Sequence, residues 1–432
     1  MKLTDDDRFM AKPIILITGA TGGVGFGICL RLLYQLSQPM QSDLSLASKG
    51  ITGDQGLNEQ SDELQSVFAT PNGLVFLLAC RSQSKFHATR TELLKGLHRL
   101  FRKENISEHE EIRYSYIDQQ TGQVELLSFA DYRKQWLARL QISWVPMDLY
   151  RGRSAVEAVK LIEREYGYLS HLLLNAGGGP FVGVNWLGLI RAFSRNILQA
   201  VTYPDYLIEA PTVAETEDRL PETWQLNVFT HYLLARQSLP LLAKGAQSLS
   251  APTRIIWTGS LDGQRKYFDR EDYQCFQPGH SYHSTKYQVE LLGQGFKEVI
   301  DKHGFKGDVI SVVAHPGVVA GNMFLLIIGR MMNFLMCWVF YFARTILGSP
   351  HHLISAYSAA LVWSHLCLAE AIQVSKRGLR YGVQCDRWGS PIVVIEDMEE
   401  PNELKERQLD RRLILDGCDQ RANALMRIWE IN

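Results

Sequence analysis

Residues 14–27 read Ile14-Ile15-Leu16-Ile17-Thr18-Gly19-Ala20-Thr21-Gly22-Gly23-Val24-Gly25-Phe26-Gly27, and the helical-looking stretch Ile28–Leu36 follows. An apolar run that breaks into glycines and resumes with helical periodicity predicts a strand, Ile14–Thr18, feeding directly into a helix. Gly19, Gly23 and Gly25 permit a tight turn and a close backbone approach. Amide N–H groups of this turn and the helix N-terminus can then hold a pyrophosphate, with Thr18, Gly19, Thr21, Gly23, Val24 and Gly25 as the expected cofactor contacts. A glycine pattern alone can also be a plain turn. Its place at a strand-to-helix junction is the context that a dinucleotide turn requires.

Outward from this turn, strand-like apolar runs recur at Leu74–Cys80, Ile142–Met147, His171–Asn175, Arg254–Thr258 and Val309–Ala314, separated by helix-length segments. That alternation predicts an α/β protein with a doubly wound parallel sheet covered by helices, a Rossmann-type arrangement. Two stretches interrupt it, the Ser/Gln/Gly-rich residues 37–72 and the charged residues 102–141; neither reads as a core element, and the first reads as flexible. No internal repeat of fixed period is present. The expectation is one domain over 1–432, with a core of about 13–320, an apolar segment at 323–347 and a C-terminal region 348–432 with helical character.

At about 150 residues per domain, a chain of 432 residues allows some three domains or one elaborated large one. Hydrophobic residues at 46% and charged residues at 21% exclude wholesale disorder and collagen-like repeats. Lysine and arginine number 45 against 46 acids, net −1, so no global positive field gathers nucleic acid. Seven scattered cysteines without a CxxC pair argue against a disulfide framework and a zinc site, and point to a reducing compartment. Met1–Pro13 lacks the apolar run of a secretory signal, so the chemistry is expected to face the cytosol.

Arg81 follows the second strand, where a site for NAD would commonly hold an acid for the ribose 2′-hydroxyl. A guanidinium there favours a 2′-phosphate, hence NADPH/NADP+; the alternative is a solvated arginine opening a loop. Asp148 ends the third strand and is placed either to accept from an adenine amine or to cap the following helix. Downstream, Tyr282-His283-Ser284-Thr285-Lys286 sets a phenol and an ammonium four residues apart on one helix face. A phenol with pKa near 10 is a sluggish proton carrier at neutral pH, and a nearby cation favours its phenolate. Ser260, after the strand ending at Thr258, emerges at the carboxyl edge of the sheet, where its hydroxyl can steady a ketone oxygen beside the phenol.

Together, Thr18-Gly19, Gly23 and Gly25, Asn175-Ala176-Gly177, Asn227, Ser260, Tyr282 with Lys286, and Pro316-Gly317 resemble the short-chain dehydrogenase/reductase superfamily across about residues 13–320. The resemblance implies that Tyr282 is the general acid, Lys286 its pKa modulator and ribose contact, Ser260 the carbonyl stabiliser and Asn227 the holder of a relay water. It implies that Asn175, Ala176 and Gly177 wall the cofactor pocket. After Pro316-Gly317 the chain reads Val318-Val319-Ala320-Gly321-Asn322, without the threonine that many superfamily members use for the nicotinamide carboxamide; backbone groups near Val319 are the expected substitute.

A narrower likeness lies in Gly259-Ser260-Leu261, Arg265-Lys266-Tyr267, Leu347-Gly348-Ser349-Pro350, Arg380-Tyr381-Gly382 and Asp386-Arg387-Trp388-Gly389-Ser390-Pro391. These stretches resemble fungal 3-ketosteroid reductases of sterol C-4 demethylation. That family implies NADPH-dependent reduction of a 3-keto-4-methyl sterol to the 3β-hydroxysterol, at the cytosolic face of the endoplasmic reticulum membrane or on a lipid droplet, beside partner demethylation enzymes. The alternatives are a 17-keto steroid or retinoid carbonyl reductase of the same fold, or a non-catalytic scaffold for sterol enzymes.

Met323–Leu347 is almost wholly apolar, but its uncharged stretch Met331–Ala343 is shorter than the roughly 17 to 25 residues that span a bilayer. Its aromatic residues, with Arg330 and Arg344 at the ends, predict a helix or hairpin lying in a lipid interface; an ordinary lid or subunit contact is the alternative. His315 reads as structural. His351-His352 lacks partners for a metal. Trp186, Trp224 and Trp257 read as core, and Glu396–Arg412 as a solvated helix face.

Overall fold

The computed structural model describes residues 11–45, 65–103, 113–117, 124–321, 325–374, 379–397 and 404–429. Eight strands make one sheet: β1 Ile14–Thr18, β2 Val75–Cys80, β3 Gln141–Pro146, β4 His171–Leu174, β5 Thr253–Thr258, β6 Val309–His315, β7 Leu379–Cys385 and β8 Pro391–Asp397. Their spatial order is β8-β7-β6-β5-β4-β1-β2-β3. Every neighbouring pair is parallel except β7 and β8. From β1 the chain winds outward through β2 and β3, then returns to β4 and winds the other way. The reversal between β1 and β4 opens a crevice at the carboxyl ends of the strands, where sheets of this kind bind ligands.

The helices named below are α1 Gly23–Leu36, α2 Gln83–Phe101, α3 Gly152–Tyr166, α4 Thr230–Leu249, α5 Ser281–Lys302, α6 Leu325–Thr345, α7 Leu361–Leu368 and α8 Leu404–Ile428. Continuous apolar strands follow from cover on both faces. Ile14 and Leu16 of β1 enter one core with Val156 of α3, Leu233 of α4, Leu292 of α5 and Ile414 of α8. Ile15 and Ile17 enter the other with Leu32 of α1, Leu93 of α2 and Trp363 of α7. The six strands read from sequence coincide with β1 to β6 within one residue at each end.

Four readings are corrected by the packing. Residues 37–72 and 102–141 do contribute core: Phe68, Tyr132 and Trp136 are almost fully buried. Tyr132 and Trp136 lie one turn apart on the helix Phe129–Ala138, whose apolar face closes over the α1 side. The expected flexibility of the first insertion falls mostly on residues 46–64, outside the described residues. The C-terminal region is not only helical, because the hairpin β7–β8 extends the sheet beyond β6. The charged stretch Glu396–Arg412 is not simply solvated: Glu396 pairs with Arg380 and His315, and buried Asp410 accepts from Arg265, Arg270 and Tyr287. Trp224 and Trp257 are core residues, whereas Trp186 is half exposed.

In α6 the backbone breaks at Gly329, whose φ of 73° only glycine adopts readily. Among the described residues no helix is long and apolar enough to cross a membrane, and no cluster of His, Cys, Asp and Glu suits a metal ion.

Candidate active site

The glycine turn is fixed from beneath by side chains that never reach the crevice. Thr18 is fully buried, and its Oγ1 accepts from the N–H groups of Asn175 and Ala176, 3.0 Å each. Its own hydroxyl proton is left for Nε2 of His231 at 3.1 Å. His231, brought down to about 4 chiefly by burial, is neutral, and its Nδ1 reaches the Asn227 carbonyl at 3.2 Å. Thr18 therefore ties β1 to β4 and does not line the cofactor cavity, contrary to its reading as a direct contact. The glycines are obligatory for a spatial reason: a Cβ at Gly19 would stand 2.8 Å from the Ala176 Cα, and one at Gly25 would collide with the Gly19 carbonyl and Asn175 Nδ2.

A cavity of about 880 Å³ runs along the carboxyl edge of the sheet. At one end lie Gly19, Thr21, Gly23, Val24 and Gly25, with Arg81 and Asp148 beyond them; in the middle are Asn175, Ala176 and Gly177; at the other end are Ser260, Tyr282, Lys286, Pro316, Gly317 and Val319. Of the residues singled out from sequence, only Thr18 and Asn227 stand back from this wall. At Gly22 and Gly23 an added Cβ would meet nothing, so the turn opens freely into the cavity. Arg81 is exposed, stacked over the Tyr150 ring at 5.6 Å. Ser82 and Lys85 line the same end, and both were missed in the sequence. Lys85 is the third residue of α2, its N–H capped by Ser82, so a strand-end Arg followed by Ser-x-x-Lys was the available signal.

Asn227 sits in a π-helical turn, Gln225–Phe229, just ahead of α4. Its Oδ1 accepts from the Gly178 N–H at 3.0 Å, and its Nδ2 donates to the Gly178 carbonyl at 2.8 Å and to Thr285 Oγ1 at 2.9 Å. Here it is a clamp between the loop after β4 and the middle of the first turns of α5.

Lys286 donates to the Thr258 carbonyl at 3.0 Å, and its Nζ lies 6.0 Å from the centroid of the Tyr282 ring. Burial brings Lys286 down to about 8, opposed by the nearby carboxylates of Glu290 and Asp262. The phenol of Tyr282 is pushed up by burial and then by Asp262, while a side-chain hydrogen bond with Ser260 works the other way. The expected lowering of this phenol by its neighbouring cation is thus not what the protein alone displays, because Lys286 is aimed at a carbonyl and burial dominates. The consequence suits proton donation: at neutral pH Tyr282 holds its proton.

Two groups beside this trio escaped sequence reading. Asp262 lines the cavity and its N–H donates to Ser260 Oγ at 3.2 Å; burial and Asp205 push its carboxyl up to about 7. Arg380, on β7, donates to Glu290 of α5 at 2.6 Å and to the Ser260 carbonyl at 3.4 Å. The C-terminal hairpin thereby braces the loop that carries Ser260. On the far side the wall turns apolar, with Phe181, Val201, Leu207, Leu226 and Phe340; Phe181 meets the Tyr282 ring edge-on at 5.3 Å. His315 is buried and held by Glu396 and the Gly317 N–H, a structural role.

A dinucleotide turn at the switch point of a doubly wound sheet, with a serine, a tyrosine and a lysine one helical turn beyond it meeting at the strand ends, defines a short-chain dehydrogenase/reductase. No family model matches the chain. Among characterised proteins, it is 30% identical over 246 residues to the 3-keto-steroid reductase of Eremothecium gossypii, covering 57% of this chain and 67% of that protein. It is 27% identical to the Saccharomyces cerevisiae 3-keto-steroid reductase, covering 60% of this chain and 72% of the other. The Schizosaccharomyces pombe 3-keto-steroid reductase aligns over 90% of this chain and 91% of its own length, at 26% identity. The chain belongs to the 3-keto-steroid reductase family.

Proposed function

We propose that this protein reduces the C3 ketone of a 4-methyl sterol to the 3β-alcohol with NADPH. The observation that carries the reading is the meeting of Ser260, Tyr282 and Lys286 at the junction between a glycine cradle and an apolar wall. The cradle suits NADPH: the Gly22–Gly23 amides open into the cavity, Arg81, Ser82 and Lys85 offer two cations and a hydroxyl for a 2′-phosphate, and Asp148 offers an acceptor for an adenine amine. Pro316–Val319, which line the same cavity, would hold the nicotinamide end. The bound cofactor supplies the hydride.

The chain's own residues do the rest. The apolar wall from Phe181 to Phe340 admits a hydrophobic body and excludes water, so the ketone end is left facing the polar pair. Ser260 donates a hydrogen bond to the carbonyl oxygen, and Tyr282, protonated at neutral pH, gives its proton to the oxygen as negative charge grows there. Lys286, largely cationic below about pH 8, then offsets the charge left on the phenolate. NADPH oxidation by the purified protein with a 4-methyl-3-ketosterol, beside a 17-ketosteroid and a retinaldehyde, tests the reading; faster turnover of either rival ketone overturns the substrate assignment.

The reading extends to a lipid surface at the cytosolic face of the endoplasmic reticulum or on a lipid droplet, near the other enzymes of sterol C-4 demethylation. Large apolar side chains stand exposed on two neighbouring elements: Met331, Phe334 and Trp338 on α6, and Trp186, Leu187 and Ile190 on the helix Trp186–Arg195. Residues 181–204 and 325–350 contain four arginines, Arg191, Arg195, Arg330 and Arg344, and no acid. An apolar face with a cationic border fits an anionic bilayer surface. Phe340 of α6 and Val201 line the cavity from the same side, which shortens the path of an insoluble sterol. Flotation with liposomes containing anionic lipid tests this: wild type should float, Trp338→Glu with Leu187→Glu should not, and a wild type that stays in solution refutes it.

A further inference from the structure

Helix α5, which carries both Tyr282 and Lys286, begins without any local cap. His280, the residue before it, has φ 50° and ψ 22°, makes no capping bond, and the first turn holds no acid of its own. The orphan donors of a helix N-terminus need partners. Here they come from 72 and 73 residues upstream: Glu209 Oε2 accepts from both the N–H and the Oγ of Ser281 at 2.7 Å, and Oε1 accepts from the N–H of Tyr282 at 2.9 Å. The carboxylate therefore grips the backbone of the candidate proton donor itself.

Glu209 ends the short strand Leu207–Glu209, which pairs antiparallel with Phe181–Val184, and its cross-strand partner is Phe181. This two-stranded ribbon supplies Phe181 and Leu207 to the apolar wall of the cavity, and Phe181 rests edge-on against the Tyr282 ring. One cross-strand pair thus holds Tyr282 at two points, its amide and its ring. Gly179 shows how tight this seat is: a Cβ there would lie 2.6 Å from the Phe181 ring and 2.9 Å from the Tyr282 Cβ.

We propose that Glu209 is a positioning residue, which fastens the start of the catalytic helix to the substrate-side pair of strands and so sets the phenol of Tyr282 against the carbonyl held in that wall. This rests on the reductase reading above. A carboxylate at a helix N-terminus also matches the helix dipole, but a cap serving stability alone has no need to come from the strand that forms the substrate wall.

The test is the kinetics of Glu209→Gln and Glu209→Asp in the full-length protein with NADPH and a 4-methyl-3-ketosterol. The glutamine variant keeps the shape but turns an amide donor toward backbone donors; its kcat should fall about 10- to 100-fold, as expected when a reacting group shifts by a fraction of an ångström to one ångström. NADPH affinity, read from the fluorescence of the bound nicotinamide, should stay within about two-fold. The aspartate variant, with the charge but one methylene less reach, should recover part of the lost kcat. An unchanged kcat in the glutamine variant overturns the proposal, as does a parallel loss of kcat, NADPH affinity and melting temperature, which would make Glu209 a support of the fold only. If the wild type reduces no ketone, the functional reading fails by itself. Glu209 is then judged by amide hydrogen exchange at Ser281 and Tyr282: faster exchange in the glutamine variant upholds the cap, and unchanged exchange refutes it.

Discussion

The two ends of the cavity are built in opposite ways. The cofactor end comes from one short piece of chain, β1, the glycine turn and α1, completed by the residues that follow β2 and β4. The substrate end is stitched from pieces far apart in sequence: Ser260 braced by Arg380 from β7, Tyr282 seated by Phe181 and Glu209, Lys286 neighbouring Glu290, and α6 closing the wall. Binding a dinucleotide needs backbone donors in a fixed turn, which local sequence supplies. Placing a proton donor against a particular ketone needs side chains triangulated from several directions.

If the two ends are separable, damage to one should spare the other. The largest effect is expected from Tyr282→Phe, which removes the proton donor without touching the cradle: kcat should drop by about 10²- to 10⁴-fold while NADPH still binds, by nicotinamide fluorescence. Joint loss would break the comparison. Next, Arg380→Met leaves the Glu290 carboxylate, fully buried, without its partner. Breaking such a pair costs about 3–5 kcal/mol, so denaturant unfolding should show a destabilisation of that order, accompanied by a lower kcat because the Ser260 loop loses its brace.

Arg81→Ala should weaken NADPH binding by roughly ten-fold and leave NADH binding unchanged, the loss of one charge-assisted contact; titration of both nucleotides checks it, and equal weakening of the two would remove Arg81 from the choice of cofactor. The smallest effect concerns pH. Burial and Asp205 push the Asp262 carboxyl up to about 7, and it faces Asp205, Lys266, Lys286 and Tyr282. Below that value it is neutral; as pH rises through it, a negative charge appears beside Tyr282 and opposes charge on the ketone oxygen. The reduction rate should therefore fall by roughly 2- to 5-fold across that window, and Asp262→Asn should flatten this fall while keeping any later loss from Lys286 near pH 8. An unaltered profile in the variant would sever Asp262 from the site.

What could be read in advance follows the same division. Six strands, the glycine cradle and the set Ser260, Tyr282 and Lys286 were legible, because period, turn chemistry and four-residue spacing are local signals. Thr18 was read as a contact because it adjoins the cradle, yet its hydroxyl is consumed beneath it by Asn175, Ala176 and His231. The lowered phenol expected beside Lys286 did not follow, since spacing puts two groups on one helix face but says nothing of where the ammonium points.

Residues 14–27, together with the alternation of apolar runs and helix-length segments that follows them, determined the kind of fold and the dinucleotide turn, because buried parallel strands and a phosphate-holding turn are each written in consecutive residues. Only the tertiary structure decided how the Tyr282 phenol is seated and which side chains surround it. Those depend on Glu209, Phe181, Asp262 and Arg380, whose ordinary side chains become specific through long-range packing.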